Sequence, residues 1–131
     1  MSKYLSLGHS KTRIFYHIIF ATKYRKKLLS PIREQLFSYL KSAENGQFKI
    51  SQMEIDKDHI HFLINAKPSI SPYMIVHALK QKSTYMVWHN NWDYMHSFYW
   101  KQHHLWTKGY FCSTIGEISE KGIRYYIENQ G

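Results

Sequence analysis

Apolar side chains recur along this chain in two rhythms, one suited to strands and one to helices. Arg13 to Thr22 reads Arg-Ile-Phe-Tyr-His-Ile-Ile-Phe-Ala-Thr, a continuous apolar and β-branched run that predicts a central strand. Ser30-Pro31 then opens a helix, with Ser30 as N-cap, Pro31 at the first helical position and Glu34 in the first turn. Ile32, Leu36, Leu40 and Ala43 repeat at helical spacing, and Gly46 is placed to close that helix in a left-handed C-cap. Phe48 to Ile55 predicts a second strand, which the turn Asp56-Lys57-Asp58 pairs antiparallel with a third, His59 to Asn65. Ser71-Pro72 repeats the helix start, for a helix reaching about Trp88 with Ile75, Leu79 and Met86 facing inward. The stretch from His89 to Lys108 is irregular and strongly aromatic, and Gly109 to Thr114 reads as a further short strand. A last helix begins at Ser119, with Ile123 and Ile127 as its buried stripe.

The third strand carries the first candidate chemistry. Alternate side chains on a strand share a face, so Ile60, Phe62 and Ile64 are expected in the core, while His59 and His61 aim their imidazoles at one point on the other side. That histidine face is expected to be open to a ligand, most simply a divalent metal. His103 and His104 are adjacent, point apart on any strand, and read as surface residues.

Charge narrows the partner. Eighteen Lys and Arg against nine Asp and Glu give +9 and an isoelectric point near 9.6, which favours a polyanion, with nucleic acid first and an anionic membrane surface second. Lys23-Tyr24-Arg25-Lys26-Lys27 gathers four cations around one ring, a composition suited to phosphates with a base stacked on the tyrosine. Lys80 and Lys82 mark a basic side of the second long helix within reach of a backbone phosphate. A single cysteine, Cys112, excludes an internal disulfide and a multi-thiolate zinc site, and points to the cytoplasm. The start lacks the apolar run of a signal peptide and no stretch suits a membrane span, so no membrane role is expected. With no repeat or linker, residues 1–131 are read as one domain.

Taken together these residues resemble a known family, the single-tyrosine transposases of the HUH nuclease superfamily, encoded by insertion sequences that move as single-stranded DNA. The similarity covers nearly the whole chain. It is carried by Tyr16-His17-Ile18-Ile19-Phe20 followed by Lys23-Tyr24-Arg25, by Asp58-His59-Ile60-His61-Phe62-Leu63-Ile64, by Ile75-Val76 and Leu79-Lys80, and by Tyr125-Tyr126-Ile127-Glu128-Asn129-Gln130. The resemblance implies an α+β fold, a ferredoxin-like antiparallel sheet of four or five strands with helices mainly on one face. It implies that His59, His61 and Gln130 hold Mg²⁺ or Mn²⁺ and that Tyr126 is the nucleophile, leaving a 5′-phosphotyrosine link and a free 3′-hydroxyl. Tyr125 is the second choice, because only Tyr126 shares a helix face with Gln130 four residues on. A phenol with a reference pKa of about 10 needs help to attack at neutral pH, and the sequence names no base for it. The implied substrate is single-stranded DNA at hairpin-bearing element ends, and the implied assembly is a homodimer whose tyrosine helix can dock on the partner subunit.

Other readings of the same residues are a single-stranded DNA or RNA binding module without chemistry, and a domesticated relative or small replication initiator differing only in substrate. A zinc hydrolase using His59 and His61 lacks any HExxH or cysteine-rich partner motif.

Overall fold

The structure is a computed structural model that describes residues 12–115. The lead-in before Thr12, both candidate tyrosines Tyr125 and Tyr126, Gln130, and the expected helix from Ser119 lie outside the described residues. Among the described residues four strands and three α-helices follow the order β1 (Ile14–Ala21), α1 (Arg33–Lys41), β2 (Phe48–Ile55), β3 (His59–Ala66), α2 (Pro72–Asn90), α3 (Trp92–His96) and β4 (Phe111–Ile115). The sheet is antiparallel throughout, in the order β2-β3-β1-β4. This is the α+β, ferredoxin-like arrangement, in which two strand-helix-strand units interleave their strands. No described helix is long and apolar enough to cross a membrane.

The core lies between one face of the sheet and the helices. Tyr16, Ile18 and Phe20 of β1 and Ile60, Phe62, Ile64 and Ala66 of β3 are buried there with Leu36 and Leu40 of α1 and Ile75, Val76, Leu79 and Val87 of α2. Strand β2 changes phase on the way. A bulge between Ile50 and Gln52 lets Phe48 and Ile50, and then Met53 and Ile55, all pack on that core. The same shift turns Gln52 and Glu54 toward the opposite face, with Glu54 opposite His61.

Two helix ends differ from expectation. Ser30–Ile32 forms a separate 3-10 turn and Ser30 caps nothing, because α1 starts only at Arg33 behind Ile32, without a side-chain cap. The helix also stops early, at Lys41 with Ser42 in right-handed geometry, so Gly46 is not its cap; Glu44 instead turns back to accept from the Ile50 N–H at 2.7 Å. The second Ser-Pro start behaves as expected, with Ser71 accepting from the Met74 N–H at 3.2 Å. Its inward stripe runs through Ser83 rather than Met86, because Ser83 is buried under the Trp106 indole, which donates to its hydroxyl at 2.8 Å.

The aromatic stretch after α2 is mostly scaffold. Met95, Tyr99 and Trp106 are buried there beside Trp88 from the end of α2, and polar tips are used: the Trp88 indole donates to the His104 carbonyl at 2.8 Å and the Tyr99 hydroxyl to the Lys23 carbonyl at 2.7 Å. These bonds press residues 99–107 against the end of β1. Thr22 bridges to Trp106 there, and Thr107 donates to the Ala21 carbonyl at 2.9 Å.

Candidate active site

His59 and His61 share the sheet face away from α1 and α2, as the alternation of β3 requires. Their ring centroids are 5.0 Å apart and nearly edge to face. The expectation of an open face needs correction, because this side of the sheet is covered along its middle. His61 is 8% exposed, Leu63 is 1% exposed between Phe15 and Ile115, and His17 of β1 is fully buried. What remains open is a cleft toward the end of the strands, lined by Ile19, Ala21, Arg25, both histidines and the 107–110 segment through Thr107, Gly109 and Tyr110.

Each imidazole has a neighbour that holds one ring nitrogen. Asp58, just before the strand, lies with Oδ1 2.8 Å from His59 Nδ1. A carboxylate can only accept, so Nδ1 carries the proton and the lone pair of His59 is left on Nε2. That Nε2 stands 3.8 Å from the Asp56 carboxylate. Arg25 grips Asp58 in turn, through Nε at 3.1 Å and Nη2 at 3.4 Å. The hydrogen bond from His59 outweighs the opposing effect of burial and, with Arg25 adding to it, holds the Asp58 carboxyl below its ordinary range.

His61 is held from the other side. His17 lies diagonally across the β1–β3 ladder from it, since the direct partner of His17 is Leu63, two residues along. Its Nε2 is 3.4 Å from His61 Nδ1, and the two rings stack at 5.6 Å. Burial lowers the pKa of both, and each is lowered further by a neighbouring histidine, His61 for His17 and His59 for His61. For His61 the Glu54 and Asp56 carboxylates pull the other way without reversing the direction. Both rings are therefore neutral at pH 7, the form that donates a lone pair to a cation.

The described residues contain no group of three or more His, Cys, Asp or Glu placed to hold a metal ion. The pair His59 and His61 nonetheless has the chemistry of a metal site. Each ring has one nitrogen engaged by a partner, as ligating histidines do, and the His61 Nε2 makes no hydrogen bond among the described residues.

The basic pentapeptide sits beside this pair. A 3-10 turn, Lys23–Arg25, directly continues β1, and Thr22 donates to the Asp58 carbonyl at 2.9 Å. Arg25 enters the histidine cleft, Tyr24, Lys26 and Lys27 are exposed, and the Lys23 ammonium stands 5.2 Å from the Tyr24 ring centre. Neither helix lysine lines that cleft. Lys80 uses its ammonium on three carbonyls, those of Thr107 at 2.6 Å and of Lys108 and Gly109 at 3.1 Å, and burial lowers its pKa. A phosphate at Lys80 has to displace those acceptors. Lys82 is exposed on the side of α2 toward α1, in a groove with Ser42, Ala43 and Tyr85 and apart from the histidines.

Sequence reasoning missed Asp58 and His17 as parts of this site. Asp58 is signalled only by adjacency to His59. His17 is signalled by a lone titratable side chain inside the apolar run of a central strand, which has to find a partner when buried.

With the geometry in view, the comparisons agree. The family model described as "Transposase IS200 like" matches residues 10–130. The transposase for insertion sequence element IS200 of Salmonella typhimurium is 33% identical over 127 residues, 95% of this chain and 82% of that protein, and the Salmonella typhi protein of the same description matches equally. Among solved structures, a Deinococcus radiodurans R1 protein assigned as a transposase superposes with a TM-score of 0.73 at 29% identity, covering 96% of both chains. A REP-associated tyrosine transposase bound to a REP hairpin shares the fold, with a TM-score of 0.60 at 13% identity over 98% of this chain and 69% of that one. A histidine pair on a ferredoxin-like sheet, together with a family match across nearly the whole length, makes this chain a member of the IS200-like family of HUH tyrosine transposases.

Proposed function

We propose that this transposase cleaves and rejoins single-stranded DNA with Tyr126 as nucleophile, and that His59, His61 and Gln130 bind the divalent cation, Mg²⁺ or Mn²⁺, that the reaction needs. The observation that carries the reading is the pair of imidazoles on one cleft, one ring held by Asp58 and the other by His17. A cation held by these side chains would supply neutralisation of charge on the phosphodiester and on the leaving oxygen. Asp58 and His17 each hold one nitrogen of a ring and so keep the other nitrogen turned to the cleft. The Tyr126 phenolic oxygen attacks phosphorus, a Tyr–O–P bond forms as the P–O3′ bond breaks, and the released 3′-oxygen ends as a hydroxyl with the proton the phenol gives up. Attack by another 3′-hydroxyl reverses these steps and rejoins strands without ATP.

Single-stranded DNA carrying hairpins is the substrate this reading implies. The net charge of +9 supports a polyanion, and the fold likeness to a protein bound to a REP hairpin is compatible with it. The experiment is a gel assay for a covalent protein-DNA adduct on oligonucleotides from the flanks of the gene, with Mg²⁺ or Mn²⁺. A metal-dependent adduct lost in Tyr126→Phe and kept in Tyr125→Phe supports the assignment. Loss only in Tyr125→Phe moves the nucleophile by one residue. Binding without any adduct favours a binding module instead.

The assembly follows the same reading, a homodimer in which the Tyr126 helix serves the partner's histidines. Mixed dimers of a His59→Ala/His61→Ala subunit with a Tyr126→Phe subunit then regain activity at one site, and no rescue argues for sites completed within one subunit.

A further inference from the structure

Next to the histidine cleft, on the far side of the Tyr24-Arg25 turn, lies a second cavity that the mechanism above leaves without a role. It has a volume of about 300 Å³ and is lined by Tyr24, Phe98, Tyr99, Trp100, Lys101, Gln102 and His104. We infer that this cavity takes one unstacked nucleobase of the strand whose phosphate is cleaved, held between the Tyr24 and Trp100 rings. The inference rests on the cleavage reading only in placing that strand across the neighbouring cleft.

The backbone makes the first part of the case. Tyr24 has φ 61° and ψ 18° and Arg25 has φ 53°, two successive left-handed residues that both carry a Cβ. Glycine or asparagine would adopt this turn with less strain. The fold holds it by hydrogen bonds on every side. Thr22 donates from its N–H to Asp58 O at 2.9 Å and from its hydroxyl to Lys26 O at 2.8 Å, and Arg25 N–H donates to Thr22 O at 3.0 Å. The cavity wall adds two more, Tyr99 hydroxyl to Lys23 O at 2.7 Å and Lys23 N–H to Leu105 O at 2.9 Å. Strain so firmly held belongs to sites where side chains must be aimed. Here it sends neighbouring side chains to different places, Arg25 to Asp58 in the histidine cleft and Tyr24 into the second cavity.

The lining makes the second part. Tyr24 and Trp100 are each 69% exposed, although large rings are usually buried. Around them Tyr24 meets His104 edge-on at 6.1 Å and Tyr99 at 6.5 Å. The side chains of Gln102 and His104 make no hydrogen bond among the described residues, so their donors and acceptors are available at the wall. The wall itself is fixed, since the Trp88 indole donates to His104 O and His104 N–H to Gln102 O, both at 2.8 Å. Flat aromatic faces with the hydrogen-bonding groups of Gln102 and His104 beside them suit a base, as single-strand binding sites do, whereas the phosphates are better served by the exposed Lys26, Lys27 and Lys101. Adjacent Cα atoms lie about 3.8 Å apart, so divergent side chains at positions 24 and 25 can meet a base and a phosphate of nearby nucleotides.

The test walks 2-aminopurine, and separately an abasic position, along the flank oligonucleotides, reading fluorescence and affinity for the wild type, Trp100→Ala and Tyr24→Gly. The adduct assay is run on the same DNA. Trp100 and Tyr24 are exposed, and glycine suits the turn, so Tyr24→Gly is expected to melt no lower than wild type. At one position close to the cleaved phosphodiester, wild type quenches the probe and loses about tenfold in affinity when the base is missing. Both variants are expected to lose the quenching and that abasic penalty. If wild type forms the adduct and no position responds to either variant, the base site is wrong and the cleavage reading stands. A variant-sensitive position with no adduct from wild type keeps the base site and removes the cleavage reading.

Discussion

Replacing Asp58 by alanine separates the work of this residue from its part in stability. Its carboxylate holds His59 Nδ1 at 2.8 Å and receives Arg25 at 3.1 Å and 3.4 Å. The Arg25 side chain is 64% exposed, so that ion pair is worth at most about 1 kcal/mol after solvent screening. His59 is itself partly exposed and its freed Nδ1 can turn to water. The whole loss of stability is then about 1 kcal/mol, or about 5 °C in melting temperature for a domain of this size. The cost to the proposed metal site is expected to be larger. Removing the residue that fixes a ligating histidine typically weakens metal binding or activity about 10- to 100-fold, equivalent to about 1.4 to 2.7 kcal/mol. The assay is the initial rate of adduct formation against Mn²⁺ concentration. Asp58→Ala is expected to shift half-saturation upward by about 10- to 100-fold, with most of the rate recovered at saturating metal. Asp58→Asn keeps an acceptor for Nδ1 and is expected to lie between the two. An unchanged Mn²⁺ dependence in Asp58→Ala, with cleavage intact, would sink the positioning role. A melting temperature lowered by about 15 °C or more would make Asp58 a folding residue instead.

Lys80→Met removes three donors from the carbonyls of Thr107, Lys108 and Gly109 while keeping the stem, and is expected to cost about 1.5–3 kcal/mol in urea unfolding. The salt dependence of DNA binding should stay as in wild type; a slope reduced by about one at unchanged stability would show Lys80 on a phosphate. Ser83→Ala leaves the buried Trp106 indole N–H without its acceptor at 2.8 Å and should destabilise by about 1–3 kcal/mol, and a loss under about 0.5 kcal/mol would mean the indole finds another partner. His17 and His61 have folded pKa values below the unfolded value of about 6.5, so the unfolded chain takes up protons first as pH falls. Stability should be full above about pH 6.5 and decline below it, more gently in His17→Gln; unfolding midpoints that stay flat or rise between pH 7 and 5 would contradict the neutral pair.

Much of this was legible in the order of residues. Period-two alternation in β3 put Ile60, Phe62 and Ile64 on one side and His59 and His61 on the other, and the sheet keeps them there. The hairpin from β2 to β3 was equally plain, since a polar turn joins two strand-like runs. The bulge in β2 was less so, although its sign is the apolar phase slipping by one between Ile50 and Met53. Helix ends were read less well. Ser30-Pro31 and Ser71-Pro72 look alike locally, yet only Ser71 caps, because Leu29 and Ile32 are drawn into the core and wind the first start into a 3-10 turn.

What local sequence could decide was the identity of strands and helices, the face each side chain takes, the surplus of positive charge, and the family resemblance. Those depend on short-range periodicity and on composition. What it could not decide was which distant side chains complete the histidine pair. His17 reaches His61 only because β1 pairs with β3 in one register, and Arg25 reaches Asp58 only because the turn after β1 packs on the β2–β3 hairpin. The same holds for Lys80, whose place along the helix does not reveal the three carbonyls that its ammonium meets, brought by the fold from about thirty residues away. Periodicity acts within a few residues, whereas buried polar partners are chosen by the register and packing of segments far apart, and only the folded chain sets those.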